Sequence, residues 1–506
     1  MDDDQLRGLL RTLEDDRDPD PAFADALYDR LGMVAAAERR SRAPWLLLAA
    51  ALIATLVAGL AVGTGLVELP LTVDASPSAA PSSSAVAIGS QTPTPSASDE
   101  PGPSMSAAPS ASADSGAVAD SILFAEADGL RLRSVPSEDA EVRATLRRGQ
   151  LMGATGESAD VQDMTWYEVR IGPGDLEGWV AAGPNGEWLR LVLDGAVTFS
   201  CDGCGDAATV VSVTPFGDAS ITPIGDAREL IEWRWSPDGS RLVASRGGTT
   251  LPYRIVLLDP AGNELDDLGI GSAGTWSPDG SRLAWLGEGG LVVTDESLES
   301  TTFDLGGLSN GAPFWSPDGS RLALVAADDP GIIDPPVSLY VVPVGGGEPE
   351  RLTEPGTLNG VTWGPDGTVL GFSIVDVSGE DPTRAFVIPA GGGDPEAVLG
   401  GNAVLTPPIW SPDGRRLAVV TPDGILIAAG AGTEAVTLVP AGAEQTIGEL
   451  RWSPSGRWLL YSMSTGLEPT LWIVPADGTG APRAISPSGA GGQQAEWQPI
   501  LAPLGP

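Results

Sequence analysis

The chain has 506 residues, with 68 acidic and 28 basic side chains and a formal net charge of −40. Every basic residue is an arginine, because the sequence contains neither lysine nor histidine. Imidazole general bases, Ser-His-Asp and Cys-His arrangements, histidine-ligated metals and Schiff-base lysines are therefore excluded. So strong a negative charge also repels phosphate backbones, and we expect no nucleic-acid partner.

Residues 1–42 form a polar leading segment in which apolar residues recur at helical spacing. One stripe runs from Leu6 to Leu13, and a second runs from Phe23 to Val34 behind the helix-start signal Asp20-Pro21. The pattern predicts two short amphipathic helices. Because so short a segment cannot bury a stable core alone, we expect it to need a cytoplasmic protein partner or the membrane surface.

Residues 43–67 are predicted to form a single transmembrane helix. The run from Trp45 to Val67 contains no charged residue, and its 23 residues suffice to cross a bilayer core of about 30 Å. Arginines precede the run at positions 39, 40 and 42, which places the N-terminus in the cytoplasm and the remaining chain outside. The alternative is a cleaved signal peptide. A lipoprotein anchor is excluded, since the only cysteines are Cys201 and Cys204.

Residues 68–118 are rich in serine, proline and alanine and contain no aromatic residue. A segment of this composition cannot bury enough apolar surface to order itself. The sequence therefore predicts a disordered linker that tethers the following domains to the membrane.

Residues 119–194 alternate short strand patterns with turn residues. The run Leu130–Pro136, followed by Gly149, Trp166-Tyr167 and Gly178–Val180, resembles the bacterial SH3 domain. That resemblance implies a small β-barrel that docks to cell-wall peptide or to a protein ligand. Trp166 and Trp179 occupy family core positions, so core packing and ligand contact remain open for them.

Residues 195–506 contain an internal repeat whose mark is Trp-Ser-Pro-Asp-Gly or a close variant. Successive copies are 41, 39, 48, 47, 42 and 45 residues apart, a period typical of a four-stranded propeller blade. The copies begin at Trp235, Trp276, Trp315, Trp363, Trp410 and Trp452, with a degenerate copy at Trp497.

The repeated residues are interpreted as structural. Proline sets φ, the aspartate bonds the local backbone and glycine accepts a positive φ, so each copy predicts a tight turn between two strands. We expect the tryptophans to pack between blades, with sugar platforms as the alternative, and we do not expect the carboxylates to form a metal or catalytic ring. The turn aspartates are Asp238, Asp279, Asp318, Asp366 and Asp413.

The two ends of the repeat region complement each other. Three strands are predicted before Trp235, at Val197–Cys201, Thr209–Val213 and Ile221–Ile224, and one orphan strand surrounds Trp497. Together they would make a composite blade that removes an exposed sheet edge. The predicted fold class is mostly β, with a seven-bladed propeller and a six-bladed one as the alternative.

The Trp-Ser-Pro-Asp-Gly repeat resembles the TolB-type, WD40-like bacterial β-propellers. Such propellers serve as binding platforms and as accessory domains of enzymes, so the resemblance implies the fold more than the function. Propellers attached to serine peptidases precede a catalytic α/β domain, whereas here nine residues follow Trp497. We expect no enzyme.

The longest predicted loops, 326–337 and 374–384, belong to neighbouring blades and are candidate binding-face loops. Their acids are consistent with a calcium site, but no EF-hand spacing is present, and a solvated acidic surface is the preferred interpretation; no metal or cofactor is predicted. The candidate residues are Asp328, Asp329, Asp334, Asp376, Glu380 and Asp381.

Cys201 and Cys204 form a C-x-x-C on the predicted outer side of the membrane. Two cysteines without histidine do not complete a zinc site, and no βαβ pattern suggests a redox motif. We expect a disulfide that closes a loop of the first blade.

Two functions remain open at the level of sequence. The first is a membrane-anchored, extracytoplasmic binding protein whose propeller and SH3-type domain engage a cell-wall component or a protein. The second is a transmembrane signalling regulator, because the segment Pro19–Leu31 before the span resembles the N-terminal segments of anti-sigma-like membrane regulators. This segment lacks the His/Cys zinc motif of one large anti-sigma class.

Overall fold

The computed structural model describes residues 119–504 with short gaps. The gaps are residues 173–175, 203, 205–208, 217–220, 227–228, 248–251, 296, 298, 306–311, 328–335, 376–382, 402, 443, 467–468 and 487–490. The predicted N-terminal helices, transmembrane helix and linker, residues 1–118, lie outside the described residues. Among the residues that are described, no helix has the length and apolar character needed to cross a membrane.

The described part of the chain is built almost entirely of strands, which confirms the predicted mostly-β class; a short 3-10 helix, Val398–Gly401, interrupts them. Seven strands come first along the chain, and the last of them extends into the repeat region. They are β1 (Ile122–Ala125), β2 (Leu130–Arg133), β3 (Val142–Leu146), β4 (Leu151–Val161), β5 (Met164–Ile171), β6 (Leu176–Ala181) and β7 (Leu189–Asp202).

We call β1 to β6 together with residues 189–194 of β7 the leading domain. Its antiparallel sheet has the order β3-β2-β6-β5-β4-β1-β7. Alternating side chains such as Leu130, Leu132, Val169 and Val180 point inward and form one apolar cluster. The SH3 identity of this domain stays a prediction.

The repeat region forms propeller-like, four-stranded antiparallel sheets. Its strands follow in chain order. They are β8 (Thr209–Val213), β9 (Ile221–Asp226), β10 (Leu230–Trp235), β11 (Leu242–Arg246), β12 (Arg254–Leu258), β13 (Glu264–Trp276), β14 (Leu283–Gly287), β15 (Gly290–Thr294), β16 (Ser300–Phe303), β17 (Phe314–Trp315), β18 (Arg321–Ala327), β19 (Val337–Pro343), β20 (Glu350–Arg351), β21 (Leu358–Trp363), β22 (Val369–Ile374), β23 (Arg384–Pro389), β24 (Glu396–Ala397), β25 (Ile409–Trp410), β26 (Leu417–Thr421), β27 (Gly424–Ala428), β28 (Ala435–Pro440), β29 (Thr446–Trp452), β30 (Trp458–Ser464), β31 (Thr470–Pro475), β32 (Arg483–Ala484) and β33 (Gly491–Pro503).

From β10 to β32, consecutive strands pair in each sheet, and the repeat tryptophans from Trp235 to Trp452 each end a first strand, whereas Trp497 lies within β33. The long strand β13 serves two sheets, because residues 264–270 pair with β12 and residues 271–276 pair with β14. First strands of successive sheets are neighbours, from β10 through β13, β17, β21, β25 and β29, and β29 and β10 both approach β33. The sheets therefore surround a common centre.

The last strand, β33, pairs with β7 along its whole length. Residues 491–497 pair with residues 197–202, beside β8 and β9, and thereby complete the composite sheet foreseen from the sequence. Residues 499–503 continue along residues 190–194 and so join the leading domain. Strand β7 runs through the predicted domain boundary at 194/195, and the two regions share one continuous sheet.

Four of the turns close through a serine and an aspartate. In the first copy the Ser236 hydroxyl donates to Asp238 Oδ1 at 2.5 Å, the Ser240 amide donates to the same oxygen at 3.1 Å, and the Arg241 amide donates to Ser236 Oγ at 3.0 Å. Gly239 has a φ of 70°, which an L side chain rarely adopts. The predicted turn chemistry is thus present, and the same serine-to-aspartate bond recurs at Asp279, Asp318 and Asp413.

The copy at Trp452 has Ser455 where other copies have the aspartate. A carboxylate nevertheless occupies this turn, because Asp194 in β7 accepts hydrogen bonds from the Ser455 amide at 2.8 Å and from its hydroxyl at 2.6 Å. A residue 261 positions away in the chain therefore substitutes for the turn's own acid. The bond fixes the leading domain to the propeller.

The contact between Asp194 and Ser455 predicts that stability lost by a substitution at one position can be recovered by a substitution at the other. Asp194→Ala leaves two buried donors of Ser455 unpaired, which should cost about 1–3 kcal/mol of unfolding free energy, measured by urea denaturation. Adding Ser455→Asp to Asp194→Ala should recover most of that loss, because the new carboxylate can cap its own turn as Asp238 does. Ser455→Asp alone should destabilise by bringing two carboxylates together. A double variant no more stable than Asp194→Ala would contradict the assignment.

Candidate functional site

The leading domain lies on the face of the sheets that carries the Trp-Ser-Pro-Asp-Gly turns. Arg147 donates to the Asp318 carbonyl oxygen at 3.0 Å, and Arg457 donates to Ser121 Oγ at 3.2 Å. Gly149, one of the residues behind the SH3 resemblance, has a φ of 88°, and a Cβ there would lie 2.5 Å from the Pro278 backbone. Close backbone approach therefore accounts for glycine at this position.

An open cleft runs along this junction and has a volume of about 820 Å³. We call it the arginine cleft, because four of the chain's 28 basic residues line it. Residues 120–122, 153–154 and 170 supply one wall from the leading domain, and turns of the last full repeats supply the other. The four arginines are Arg170, Arg415, Arg416 and Arg457.

The four arginines differ in their partners and in their exposure. Arg416 donates to the carbonyls of Ala476 at 3.0 Å and Gly456 at 2.8 Å, and burial lowers the pKa of its guanidinium, although Asp413 opposes that shift. Arg170 is paired with Glu177. Arg415 and Arg457 are exposed, so their guanidinium groups are the ones most accessible to a ligand.

Three aspartates also line the arginine cleft, namely Asp120, Asp413 and Asp477. Asp413 already accepts hydrogen bonds from Ser411 and from the Arg415 amide, and Asp477 accepts two from Thr479. Planar guanidinium groups bind carboxylates in a bidentate way, and the neighbouring acids can receive an ammonium or amide. The cleft is therefore chemically suited to a ligand that carries carboxylates beside polar nitrogen groups, such as a peptide.

The predicted tryptophans and aspartates of the repeats belong to the sheets and to the turns within them. Trp235, Trp276, Trp315 and Trp497 are buried, whereas Trp363, Trp410 and Trp452 are partly buried. Asp366 accepts hydrogen bonds from the Thr368 amide and hydroxyl, so its carboxylate also serves its own turn. Within the described ranges, no three carboxylate or thiol side chains converge as metal ligands would.

The six predicted loop acids, Asp328, Asp329, Asp334, Asp376, Glu380 and Asp381, lie outside the described residues and stay predictions. Of the two aromatic residues left open in the leading domain, Trp166 is 2% exposed and Trp179 is partly buried. Sequence reasoning did not find the arginine cleft. Its only local signal is the Arg415-Arg416 pair, because the walls meet through contacts between distant segments.

Cys201 and Cys204 are joined in a disulfide with a Cα–Cα distance of 5.6 Å. Cys201 is completely buried at the end of β7 and packs in the same cluster as Phe199 and Trp497. The bridge therefore closes the turn that leaves the composite sheet, at the end of β7 remote from the leading domain.

Residues 275–501 match the family model described as the TolB beta propeller domain. The fold and this match define a β-propeller, and this part of the chain is a TolB-type propeller domain. The resemblance drawn from the Trp-Ser-Pro-Asp-Gly repeat is thereby confirmed, whereas the SH3 and anti-sigma resemblances stay predictions. Comparison with curated proteins gives no match.

Solved structures with a similar fold include TolB from Acinetobacter baumannii, which is 16% identical with a TM-score of 0.40 over 67% of this chain and 81% of that one. A putative TolB from Agrobacterium tumefaciens is 19% identical, with a TM-score of 0.35 over 47% of this chain and 94% of that one. An oligogalacturonate lyase from Vibrio parahaemolyticus is 15% identical, with a TM-score of 0.43 over 58% and 86% of the two chains.

The turn aspartates predict an acid sensitivity. Burial alone would raise the pKa of Asp238, Asp279 and Asp318, but hydrogen bonds from neighbouring serines and a nearby arginine outweigh burial and hold each pKa below its ordinary value of 3.8. A carboxylate whose pKa falls on folding stabilises the protein above its unfolded pKa, and that contribution disappears as the pH falls through the folded pKa. Stability should therefore fall as the pH drops below about 4.

The measurement is thermal unfolding between pH 6 and pH 2. Asp238→Asn, Asp279→Asn and Asp318→Asn combined should flatten the acid limb, because the amide oxygens keep the turn bonds without titrating. The matched control neutralises Glu138, Asp139 and Glu141, which lie in a turn of the leading domain, and should keep the original acid limb. Equal flattening in both triple variants would overturn the assignment.

Proposed function

We propose that the protein is a single-pass, membrane-anchored binding protein whose C-terminal domains lie outside the cytoplasm and hold a cell-wall component or a protein. The arginine cleft is the observation that supports this proposal. It concentrates arginines in a chain of net charge −40, and both the leading domain and the propeller line it. Elsewhere the net negative charge repels an anionic ligand, so the cleft is where such a ligand gains most.

The same proposal takes residues 43–67 as the membrane span, residues 68–118 as the tether and the leading domain as an SH3-type module. We propose no enzymatic activity, because a chain without histidine and lysine cannot assemble a nucleophile activated by an imidazole or amine base. TolB-type propellers are suited to protein or cell-wall binding, which agrees with the chemistry of the cleft.

A signalling regulator of the anti-sigma type is the second candidate. Its support is the polar segment 1–42, whose apolar stripes precede the uncharged run from Trp45 to Val67. In this alternative the same extracytoplasmic domains act as the sensor, and the leading helices bind a cytoplasmic protein. The two candidates share the arginine cleft as the ligand site.

Binding of a wall peptide is tested by co-sedimentation of the purified protein with isolated bacterial cell-wall sacculi. Arg415→Glu combined with Arg457→Glu should weaken binding by at least tenfold, because two exposed cations of the cleft become anions. Arg131→Glu is the control for charge reversal, since Arg131 is exposed on β2 and does not line the cleft.

Two outcomes would contradict the wall-peptide assignment. If the unmodified protein does not sediment with sacculi, a wall component is not the ligand, and crosslinking in cells becomes the test for a protein partner. If Arg131→Glu weakens binding as much as the cleft variant does, the attraction depends on overall charge and not on the arginine cleft.

We further propose that the propeller has seven blades, the composite sheet of β33, β7, β8 and β9 being the blade that joins both ends. Support comes from the pairing of residues 491–497 with β7 and from the hydrogen bond that Gln498 donates to the Gly239 carbonyl at 2.8 Å. The six-bladed alternative would make β33 dispensable for the ring.

Two truncations separate these counts. Deleting residues 493–506 removes the buried Trp497, a loss of about 3–5 kcal/mol, and opens the composite sheet, so the protein should aggregate or lose its cooperative melt. Deleting residues 499–506 removes only the part of β33 that joins the leading domain, and the propeller melt should remain. A propeller that melts normally after the longer deletion would favour six blades.

A further inference from the structure

A second cavity, partly open to solvent, lies at the centre of the ring, beneath the leading domain, and has a volume of about 320 Å³. Its roof is apolar and consists of Phe124, Leu151 and Val192 from the leading domain, together with Leu501 of β33. Its rim consists of turn prolines, among them Pro278. We call it the central cavity; it is distinct from the arginine cleft, which opens at the side of the junction.

Among the residues that the structure describes, two charged side chains line the central cavity, Arg451 and Glu496. Glu496 lies between two guanidinium groups, since Arg451 Nε is 3.6 Å from its Oε2 and Arg234 Nη1 is 3.9 Å from the same oxygen. Glu449, which also interacts electrostatically with Arg451, accepts hydrogen bonds from the amides of Gln494 and Ala495. One carboxylate is thus shared by two arginines.

Arg451 is incompletely satisfied in this arrangement. The Nε atom of Arg451 is fully buried and has no hydrogen-bond partner among the described residues. The side chain as a whole is 40% exposed, so other atoms of it remain accessible. Burial and the neighbouring Arg234 lower the pKa of Arg451, opposed by Glu496 and Glu449. A buried donor without a partner is costly, and a charged acceptor would remove that cost.

We propose that the central cavity binds a small apolar carboxylic acid. Its hydrocarbon part packs against Phe124, Leu151 and Val192, and its carboxylate pairs with Arg451 beside Glu496. The volume lies at the lower end of the range for small-molecule sites, and apolar walls with one placed charged group are their usual composition. The ligand carboxylate supplies the hydrogen-bond acceptor that the buried Nε of Arg451 lacks.

The probe is sodium octanoate, titrated by calorimetry into the purified full chain, with octan-1-ol as the uncharged comparison. Octanoate should bind at one site and octanol at least tenfold more weakly. Arg451→Met, which keeps length and apolar packing, should weaken octanoate at least tenfold while leaving octanol unchanged. Val192→Phe, which fills the roof, should weaken both probes.

Glu496→Gln should change the affinity for octanoate in the direction opposite to Arg451→Met. Removing the competing carboxylate should tighten octanoate severalfold and leave octanol unchanged, which a merely destabilised cavity would not do. The Arg415→Glu and Arg457→Glu variant is the matched control and should bind octanoate normally, so this result does not depend on the function proposed for the arginine cleft.

Two results would overturn the proposal. One is no octanoate binding to the unmodified protein, which would mean that water and the neighbouring side chains satisfy Arg451. The other is octanoate binding that both Arg451→Met and Val192→Phe leave unchanged, which would place the ligand on the outer surface. Thermal melts of every variant establish that the fold is retained before the affinities are compared.

Discussion

The propeller depends on one repeated contact, in which an arginine that follows the turn of one sheet lies over the tryptophan at the end of the next sheet's first strand. The guanidinium carbon of Arg241 is 4.6 Å from the centre of the Trp276 ring, and Arg282 and Arg321 lie over Trp315 and Trp363 in the same way. Arg282 and Arg321 each also donate to a glycine carbonyl in the next turn, at 2.6 and 2.8 Å. Because a flat guanidinium can stack and donate at once, whereas an ammonium cannot, these positions suit arginine.

The tryptophan of each such contact also donates a hydrogen bond back to the preceding sheet. The indole nitrogens of Trp276, Trp315 and Trp363 donate to carbonyls of the preceding first strand, at 3.2, 3.2 and 2.9 Å. Where the arginine is missing, the contact changes. Val369 stands at the arginine position before Trp410, whose indole nitrogen has no hydrogen-bond partner among the described residues. Trp458 stands at that position before Trp497, and Phe216 packs against both rings instead.

The sequence was sufficient to predict the structural features that a single repeat determines. The Trp-Ser-Pro-Asp-Gly turns and the strand at Thr209–Val213 are found where they were predicted, because turn chemistry and alternation act over a few residues. The arrangement of the leading domain was not predictable in this way. Asp194 serves the turn of Ser455 only in the folded chain, and the sole sequence trace of that contact is a serine where the other copies carry aspartate. The central cavity likewise depends on Arg451 and Glu496 meeting across two different repeats.

The position of β1 determines how the proposed tether loads the structure. The linker predicted at 68–118 ends next to β1, which lies between β4 and β7 in the interior of the sheet. A pull on the tether therefore acts along a strand bonded on both sides, and β7 passes the load to β33 and, beyond residue 196, to β8. Glu496 and Leu501 of β33 line the central cavity, so β33 connects this cavity with both the leading domain and the composite sheet. A ligand in the central cavity would consequently contact β7 and β33, the two strands that join the leading domain to the composite sheet.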